Sequence, residues 1–532
     1  MRVVDYSEMK EIERIAITEF GFTEDMIIEN VGIHGAYFIE ENLLRENDFG
    51  ELVVLVGQGN NGADGLSIAR HLRNRGHSVR AFLLFPDEEC KPELKKQIKL
   101  ARAFGVKTTE LKNFDQLEAY FAETHSEHFI IDAIFGVGFR TPLSNYMFDI
   151  INAANDHASF IVSIDMPSGV TGDTGAVSST AIKADLTLAV GLPKIGHYVS
   201  QGAMYVGEAV TLDAGFPISL LEGGDKFLLS MEMIASFYEP RNKFAHKNSF
   251  GHSLLVGGSQ GLTGALIMAS MAALRVGTGL VTACTWGENY GELASRIAPE
   301  IMIGLIPTEE DEIESILKDL GRYHSLVIGP GLGRSPRARE TVLDVLNNFS
   351  GPVVVDADAI KVLSLKEDRD LLSRRKFPTI LTPHMGEFAA FSGLPVEKVL
   401  EDPIGNLKAL VDQTNCTVVL KGPCTFLGFP NGEIHINYSP NDGMATGGSG
   451  DVLAGILGGL LAQIPVDRKR STMFDDKKKF YEFLRLGVAV HTLAGRIAAD
   501  KIGERAMSAG TIIEHLTDAF SELEGRHQSD EE

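Results

Sequence analysis

The stretch Asn441–Ala454, NDGMATGGSGDVLA, constrains this chain most. Gly443, Gly447, Gly448 and Gly450 precede Asp451, and the apolar run Val452–Leu461 follows. Glycines carry no side chain, so several backbone N–H groups can converge on one anion. A helix starting directly after them aims the positive end of its dipole at the same place. A carboxylate there can take a proton from a hydroxyl while the amides hold a phosphoryl group in transfer. The pattern predicts a phosphoryl-transfer site with Asp451 as general base. The structural alternative is a glycine-rich turn that caps a core helix.

At 532 residues the chain exceeds one ordinary domain and predicts two or three. Its glycine content and 44% hydrophobic residues suit α/β architecture rather than disorder. A formal charge of −23 argues against a nucleic-acid surface. The short basic runs Lys477–Lys479 and Arg374–Lys376 are flanked by acids and read as solvated faces. Cys90, Cys284, Cys416 and Cys424 show neither CxxC nor metal spacing, which fits a reduced, cytoplasmic compartment. No apolar stretch reaches the roughly 18 residues that a membrane-spanning helix needs. The start, MRVVDYSEMKEIER, reads as a charged helix, not a signal peptide. The acidic end is expected to fray from about residue 525.

Met9, Ile12, Ile15, Ala16, Met26, Ile27 and Val31 recur at helical spacing, with Ser7 a candidate cap. A short strand, Leu52–Val56, leads into GQGNNGADG (57–65), a helix at Leu66–Arg75 and a second strand at Val79–Phe85. This is a β-α-β unit with a glycine loop at the strand's carboxyl end. Gly57, Gly59 and Gly62 match GxGxxG, and Asp87 or Glu88 would serve as the acid of a dinucleotide fingerprint. Asn60, Asn61 and Asp64 are more polar than a plain phosphate cradle requires; they suggest work on ribose hydroxyls, an amide or a cation. Two further junctions repeat the theme. Asp132 ends an apolar run before Gly136 and Gly138, and Asp165 ends another before Ser168. Asn61, Asp132 and Ser168 together form an oxygen-only set of low charge, which suits a hard monovalent cation better than zinc.

The strings ENVG (29–32), GNNGADG (59–65), DAIFGVG (132–138), DMPSG (165–169) and GLPKIGH (191–197) resemble the YjeF N-terminal family, the NAD(P)HX epimerases, across roughly residues 1–220. The resemblance implies a Rossmann-like domain that binds the hydrated, damaged form of NADH or NADPH. It implies potassium at Asn61, Asp132 and Ser168. Substrate contacts would fall on Asn60, Asn61, Gly62, Ala63 and Asp64, on Gly136, Val137, Gly138, Phe139, Arg140, Thr141 and Pro142, and on Asp165. Asp165 would be the acid–base group that interconverts the R and S hydrates. Ala63 departs from the family's usual glycine, and its methyl is tolerable only away from positive φ.

Between 213 and 250 the character changes, with Gly and Pro punctuation, and the boundary is placed at 222/223. Beyond it, Ser253–Val256 opens a strand, glycine turn, small-residue helix and strand. LVIGPGLGR (326–334) ends a strand in another glycine loop. Later strands end in Asp356 and Asp358, in His384 and Glu387, and in Lys421 with Thr425. GxxxxGK[ST] does not occur, so this is not a P-loop enzyme.

AHK (245–247), VGGSQGLTGA, GPGLG, DADA, LTPHMGEF, LKGPCT, GGSGDVLAGIL and VHTLAGRIAAD, in that order, resemble the ADP/ATP-dependent NAD(P)H-hydrate dehydratases of the ribokinase-like superfamily. That resemblance implies a nucleotide site at Lys421, Gly422, Pro423, Cys424, Thr425 and Gly450. It implies substrate contacts at Ala265, Gly331, His384 and Asp451, with Mg²⁺ and ADP or ATP as cofactors. The expectation is thus an α/β chain of two three-layer αβα domains, Rossmann-like over 1–222 and ribokinase-like over 223–532. Its substrates would be NADHX and NADPHX, with a homo-oligomeric assembly and neither nucleic acid nor membrane as partner. On motifs alone three other readings stay open. One is a ribokinase-like kinase for a sugar or vitamin-precursor alcohol with an N-terminal nucleotide-binding module. The others are a non-enzymatic N-terminal binding module, like those in RNA-decapping scaffolds, and an NAD-dependent oxidoreductase.

Overall fold

The computed structural model describes residues 1–45, 49–124, 128–199, 201–306, 320–363, 366–464 and 477–531. It divides into two compact units, Arg2–Lys226 and Phe227–Glu532, with Met1 joining the second. The division falls just past the glycine pair Gly223–Gly224, whose positive φ turn stays with the first unit.

The first unit is a seven-stranded sheet built from β1 (Glu51–Val56), β2 (Ser78–Leu83), β3 (Lys107–Glu110), β4 (His128–Ala133), β5 (Ala158–Ile164), β6 (Leu186–Val190) and β7 (Glu208–Leu212). Every pairing is parallel, in the order β3-β2-β1-β4-β5-β6-β7. The strands read as near-continuous apolar runs because both faces are covered. Val54 and Val56 of β1 join one core cluster with residues of the helices Glu24–Ile39, Asn60–Asn74 and Pro92–Ala103. Val53 and Leu55 point the other way, into a cluster with residues of Asp115–Thr124 and Asn145–His157. Strand order reverses between β1 and β4, which opens a crevice at their carboxyl ends.

The second unit is a ten-stranded sheet of β8 (Lys226–Leu228), β9 (His252–Val256), β10 (Leu280–Trp286), β11 (Met302–Ile306), β12 (Ser325–Ile328), β13 (Val353–Val355), β14 (Thr379–Leu381), β15 (Thr417–Leu420), β16 (Cys424–Gly428) and β17 (Ile434–Tyr438). The order is β11-β10-β9-β12-β13-β14-β15-β16-β17-β8, parallel from β11 to β15, with β16 antiparallel to both of its partners β15 and β17. The switch lies between β9 and β12. The helix Ser449–Ala462 packs on β9, β12 and β13, and the helix Pro403–Thr414 on β15 and β16.

Several local expectations change. The helix after β1 begins at Asn60, not Leu66, so the polar residues of the glycine loop form its first turns. Ala63 lies inside that helix and is not among the residues at positive φ, so its methyl costs no backbone strain. Asp5, not Ser7, caps the first helix, Tyr6–Phe20; its carboxylate accepts the Glu8 N–H at 2.9 Å, and the Glu8 side chain returns to the Asp5 N–H. Arg375 is no solvated cation. Its guanidinium donates to the carbonyls of Leu346, Phe349, Gly351, Phe377 and Pro378, and burial lowers its pKa to about 10. The terminal helix spans Ala509–Glu531. All four cysteines are free and buried, and among the described residues no helix is long and apolar enough to cross a membrane.

Gly329 shows how tightly the second sheet's edge is built. Its φ is +125°, and a Cβ there would stand 1.8 Å from the Asp356 carbonyl oxygen. Gly329→Ala is expected to destabilise the protein by about 3 kcal/mol, read from the midpoint of denaturant unfolding.

Candidate active sites

In the first unit the functional candidates gather at the carboxyl ends of β1, β4, β5 and β6. Asp132, fully buried, ends β4. Its carboxylate accepts Ser168 Oγ at 2.6 Å, Ser168 N–H and Ser163 Oγ at 2.8 Å each, and Ile134 N–H at 3.2 Å. Burial raises its pKa, and these bonds offset part of the rise. Ser168 Oγ in turn accepts the Phe135 N–H at 2.9 Å, which ties the β4 and β5 loops together. Asn61 is oriented into the same crevice, with both amide atoms buried and without a hydrogen-bond partner.

Asp165 follows β5 with φ +67°, one of the few non-glycine residues in the left-handed region. Its Oδ2 accepts the Val137 N–H at 2.8 Å. Its Oδ1 is bonded by the Lys194 ammonium, which is itself 1% exposed and also donates to the Val190 carbonyl at 2.7 Å. Burial alone would raise the Asp165 pKa, but the Lys194 charge and hydrogen bond hold it below the usual carboxylate range. His197, fully buried, contacts the Asp165 carbonyl oxygen through Nε2 at 2.8 Å and accepts the Lys194 N–H at Nδ1. Burial, then the Lys194 charge, push its pKa down to about 4, so it is neutral and donates from Nε2. Gly136 lies between the two polar walls: a Cβ there would be 3.0 Å from Asp165 Oδ2 and 3.3 Å from Asn61 Oδ1.

The remaining sequence candidates spread outward from this centre. Gly62 and Ala63 are buried helix residues, and Asn60 accepts from Lys91 at 3.2 Å. Asp64 is buried with Oδ1 unpaired. Gly138 is exposed, while Phe139 turns inward onto the Phe135 ring. Arg140 lies over the Tyr6 ring and bonds Asp173 at 3.2 Å. Thr141 and Pro142 are exposed at the outer end of the loop. Sequence reasoning did not assign Lys194 and His197, although both lie in the string GLPKIGH. A lysine inside a buried apolar run was the available signal.

In the second unit, Gly448 caps the helix Ser449–Ala462 at φ +96°, and Asp451 falls in its first turn. Burial and then the Asp356 charge, with smaller contributions from Asp358 and Glu387 against the opposing Lys421, push the Asp451 pKa up to about 7. Lys421 directly follows β15, bonds Asp356 at 2.8 Å, and stands over Gly450, where a Cβ would meet its Nζ at 3.0 Å. Asp356, 1% exposed, also accepts Thr382 Oγ1 at 2.7 Å. The Lys421 N–H bonds the Pro383 carbonyl, which brings His384 alongside.

His384 is an N-cap. Its Nδ1 accepts the Gly386 N–H at 3.0 Å, and its own N–H goes to Glu387. Glu387 is therefore committed to that cap and to Lys361 at 3.0 Å, and Asp358 to the Gly333 N–H and Arg334. Gly331 has φ +59°, and Ala265 lies in the first turn of the helix Thr263–Arg275. Gly422 and Pro423 are exposed. Cys424 and Thr425 are neighbours on β16, so their side chains face opposite sides of the sheet. His491, on the helix Lys477–Ile502, has its Nε2 at 3.0 Å from the Ser449 carbonyl oxygen and anchors the glycine turn; burial lowers its pKa to about 4. Nothing local in the sequence distinguished it from an ordinary core histidine.

Two doubly wound units, each with polar groups and glycine loops at the carboxyl edge of its sheet, define a two-domain α/β enzyme that handles nucleotides. Residues 24–196 match the YjeF-related protein N-terminus family and residues 253–518 the NAD(P)H-hydrate dehydratase family. The bifunctional NAD(P)H-hydrate repair enzyme of Moorella thermoacetica is 34% identical, over 98% of this chain and 97% of its own length. That of Escherichia coli is 31% identical over 89% and 84%. The ADP/ATP-dependent NAD(P)H-hydrate dehydratase of Bacillus subtilis, co-crystallised with ATP and Mg²⁺, is 25% identical, covering 57% of this chain and 100% of its own, with a TM-score of 0.46. The chain belongs to the bifunctional NAD(P)H-hydrate repair enzyme family, a YjeF-type epimerase unit fused to a dehydratase unit.

Proposed function

We propose that the first unit interconverts the R and S hydrates of NADH and NADPH, and that the second dehydrates the S form at the expense of ADP or ATP. The observation that carries the second half is Asp451: a carboxylate at a glycine-capped helix start, beside Lys421, with its pKa near neutrality. A general base works best near its operating pH. Asp451 takes the proton of the hydrate's hydroxyl as that oxygen attacks the terminal phosphoryl group. Lys421 and the amide of Gly450 hold the phosphates, and the residues 422–425 line the nucleotide. Ala265, Gly331 and His384 position the hydrate. Phosphate, a far better leaving group than hydroxide, then departs with the hydroxyl's oxygen as the ring nitrogen's lone pair forms C=N⁺; the adjacent ring carbon loses a proton to the departing phosphate or to water, and the ring double bond re-forms. The nearby carboxylates are already bonded to Lys421, Thr382, Lys361 and Gly333, so Mg²⁺ would be held chiefly by phosphate oxygens and water, where it would neutralise developing charge.

In the first unit Asp165 is the acid–base group, and Asn60–Asp64 with the loop 136–142 hold the hydrated nucleotide. Asn61 offers an unpaired buried oxygen near the Asp132–Ser168 pair, a donor set that fits K⁺. The ion would supply fixed positive charge beside the substrate. A homo-oligomer in the reducing cytoplasm completes the reading; the four free cysteines support the compartment and the charge of −23 speaks against nucleic acid.

The test is to mix the full chain with both NADHX epimers, Mg²⁺, K⁺ and either ADP or ATP. Absorbance at the NADH band is expected to recover fully with at least one nucleotide. No recovery with either, together with phosphorylation of a vitamin-precursor alcohol, would replace this reading by the kinase one.

A further inference from the structure

Besides Asp132 and Asp165, the epimerase crevice holds a third buried carboxylate, Asp64, to which no chemical step has been given. Asp64 is 9% exposed, and its Oδ1 is fully buried without a hydrogen-bond partner. Such an atom is costly to leave unpaired, so its position points to a ligand. It lies on the helix Asn60–Asn74, one turn past Asn61, whose amide is also unpaired. The charged groups facing it are Asp165, Glu13 and Lys194. Lys194 bonds Asp165, not Asp64. Lys194, the one buried ammonium among the described residues of this crevice, is thus committed to one carboxylate of the pair. Burial, and then the Asp165 and Glu13 charges, hold the Asp64 pKa well above its usual range, while Asp165 is held below. Two carboxyl groups pushed apart in this way take opposite acid–base roles.

We infer that Asp64 is the proton donor of the epimerase, working with the Lys194-bound Asp165 carboxylate as proton acceptor. This rests on the epimerase reading above. Hydration of the ring's enamine double bond puts the hydroxyl on the carbon next to nitrogen. That carbon–oxygen bond breaks as the Asp64 carboxyl gives its proton to the leaving oxygen. Water departs, and the nitrogen lone pair forms a C=N⁺ bond. A water molecule then adds to the opposite face. Its oxygen forms the new bond, its proton goes to Asp165, and the C=N electrons return to nitrogen. One proton has moved from Asp64 to Asp165, and exchange with solvent resets the pair.

Asp64→Asn in the full chain is expected to lower kcat for R-to-S conversion by about 100-fold with KM within about 3-fold. The variant's circular dichroism and unfolding midpoint, matched against wild type, serve as the folding reference. A rate within about 3-fold of wild type overturns the role. The second measurement uses the wild type in ¹⁸O-water, so a variant that fails to fold leaves the test intact. Each epimerised product is expected to carry ¹⁸O at its hydroxyl. Retention of ¹⁶O means the carbon–oxygen bond never broke, and sinks the mechanism. A wild type with no interconversion at all overturns the epimerase reading itself rather than the role of Asp64.

Discussion

Asp451→Asn is expected to abolish S-hydrate dehydration while making the protein more stable at neutral pH. The base is lost, which costs roughly 10²–10⁴ in kcat. The stability gain follows from the same burial that tunes the group. In the folded chain the Asp451 pKa is about 7, above its unfolded value. A pKa raised by folding contributes stability below the unfolded value and loses it as pH climbs through the folded one. At pH 7–8 an uncharged Asn removes that strain, worth on the order of 2 kcal/mol after allowing for partial exposure. Thermal unfolding of variant and wild type at pH 5 and pH 8 checks this: the gap is expected to be clearly larger at pH 8 than at pH 5, which already lies above the unfolded pKa. The wild-type kcat/KM for dehydration is expected to rise about tenfold per pH unit below 7 and level off above. A dehydration rate that stays flat from pH 5 to 8 rules out Asp451 as the ionising base.

Asp165→Asn gives the second large effect, in the other unit. Asn tolerates the left-handed backbone that position requires, φ +67°, better than Ala does. The substitution therefore keeps the loop while removing the charge opposite Lys194. R-to-S conversion is expected to fall 10²–10⁴-fold toward the uncatalysed rate. S-hydrate is still consumed, so a mixed epimer sample recovers only its S fraction on the enzyme's timescale. Asp165→Ala adds backbone strain, about 1 kcal/mol, to the cost of a buried, uncompensated lysine. Unfolding midpoints ordered wild type, Asn, Ala are expected. Epimerisation by Asp165→Asn at the wild-type rate would remove Asp165 as the acid–base group, and would leave the unit a binding module if that rate is no faster than the uncatalysed one.

Much of this arrangement was legible in the chain. Glycine loops after apolar runs marked the carboxyl ends of β1, β4, β9 and β12, and Asp132, Asp165, Asp356 and Asp451 were located as strand-end or helix-start acids. What eluded the sequence is set by contacts between distant segments. Lys194 becomes the partner of Asp165 only when β6 is laid beside β5. Arg375 looks like a surface cation until five carbonyls from separate segments close around it. The start of the helix at Asn60 was obscured by Gly59 and Gly62, which read locally as a loop because glycine lowers helix propensity. In the sequence Glu387 reads only as a polar group at a strand end beside His384, and the structure makes it the capping partner of that histidine.

The account stands on phosphorylation of the hydrate's own hydroxyl beside Asp451. S-hydrate labelled with ¹⁸O at that hydroxyl, given to the Asp165→Asn variant with ADP or ATP and Mg²⁺, follows the oxygen directly. Released phosphate is expected to carry the ¹⁸O, seen as an isotope-shifted ³¹P resonance. Label appearing in water, with unlabelled phosphate, would show that the hydroxyl left without being phosphorylated and would contradict the mechanism.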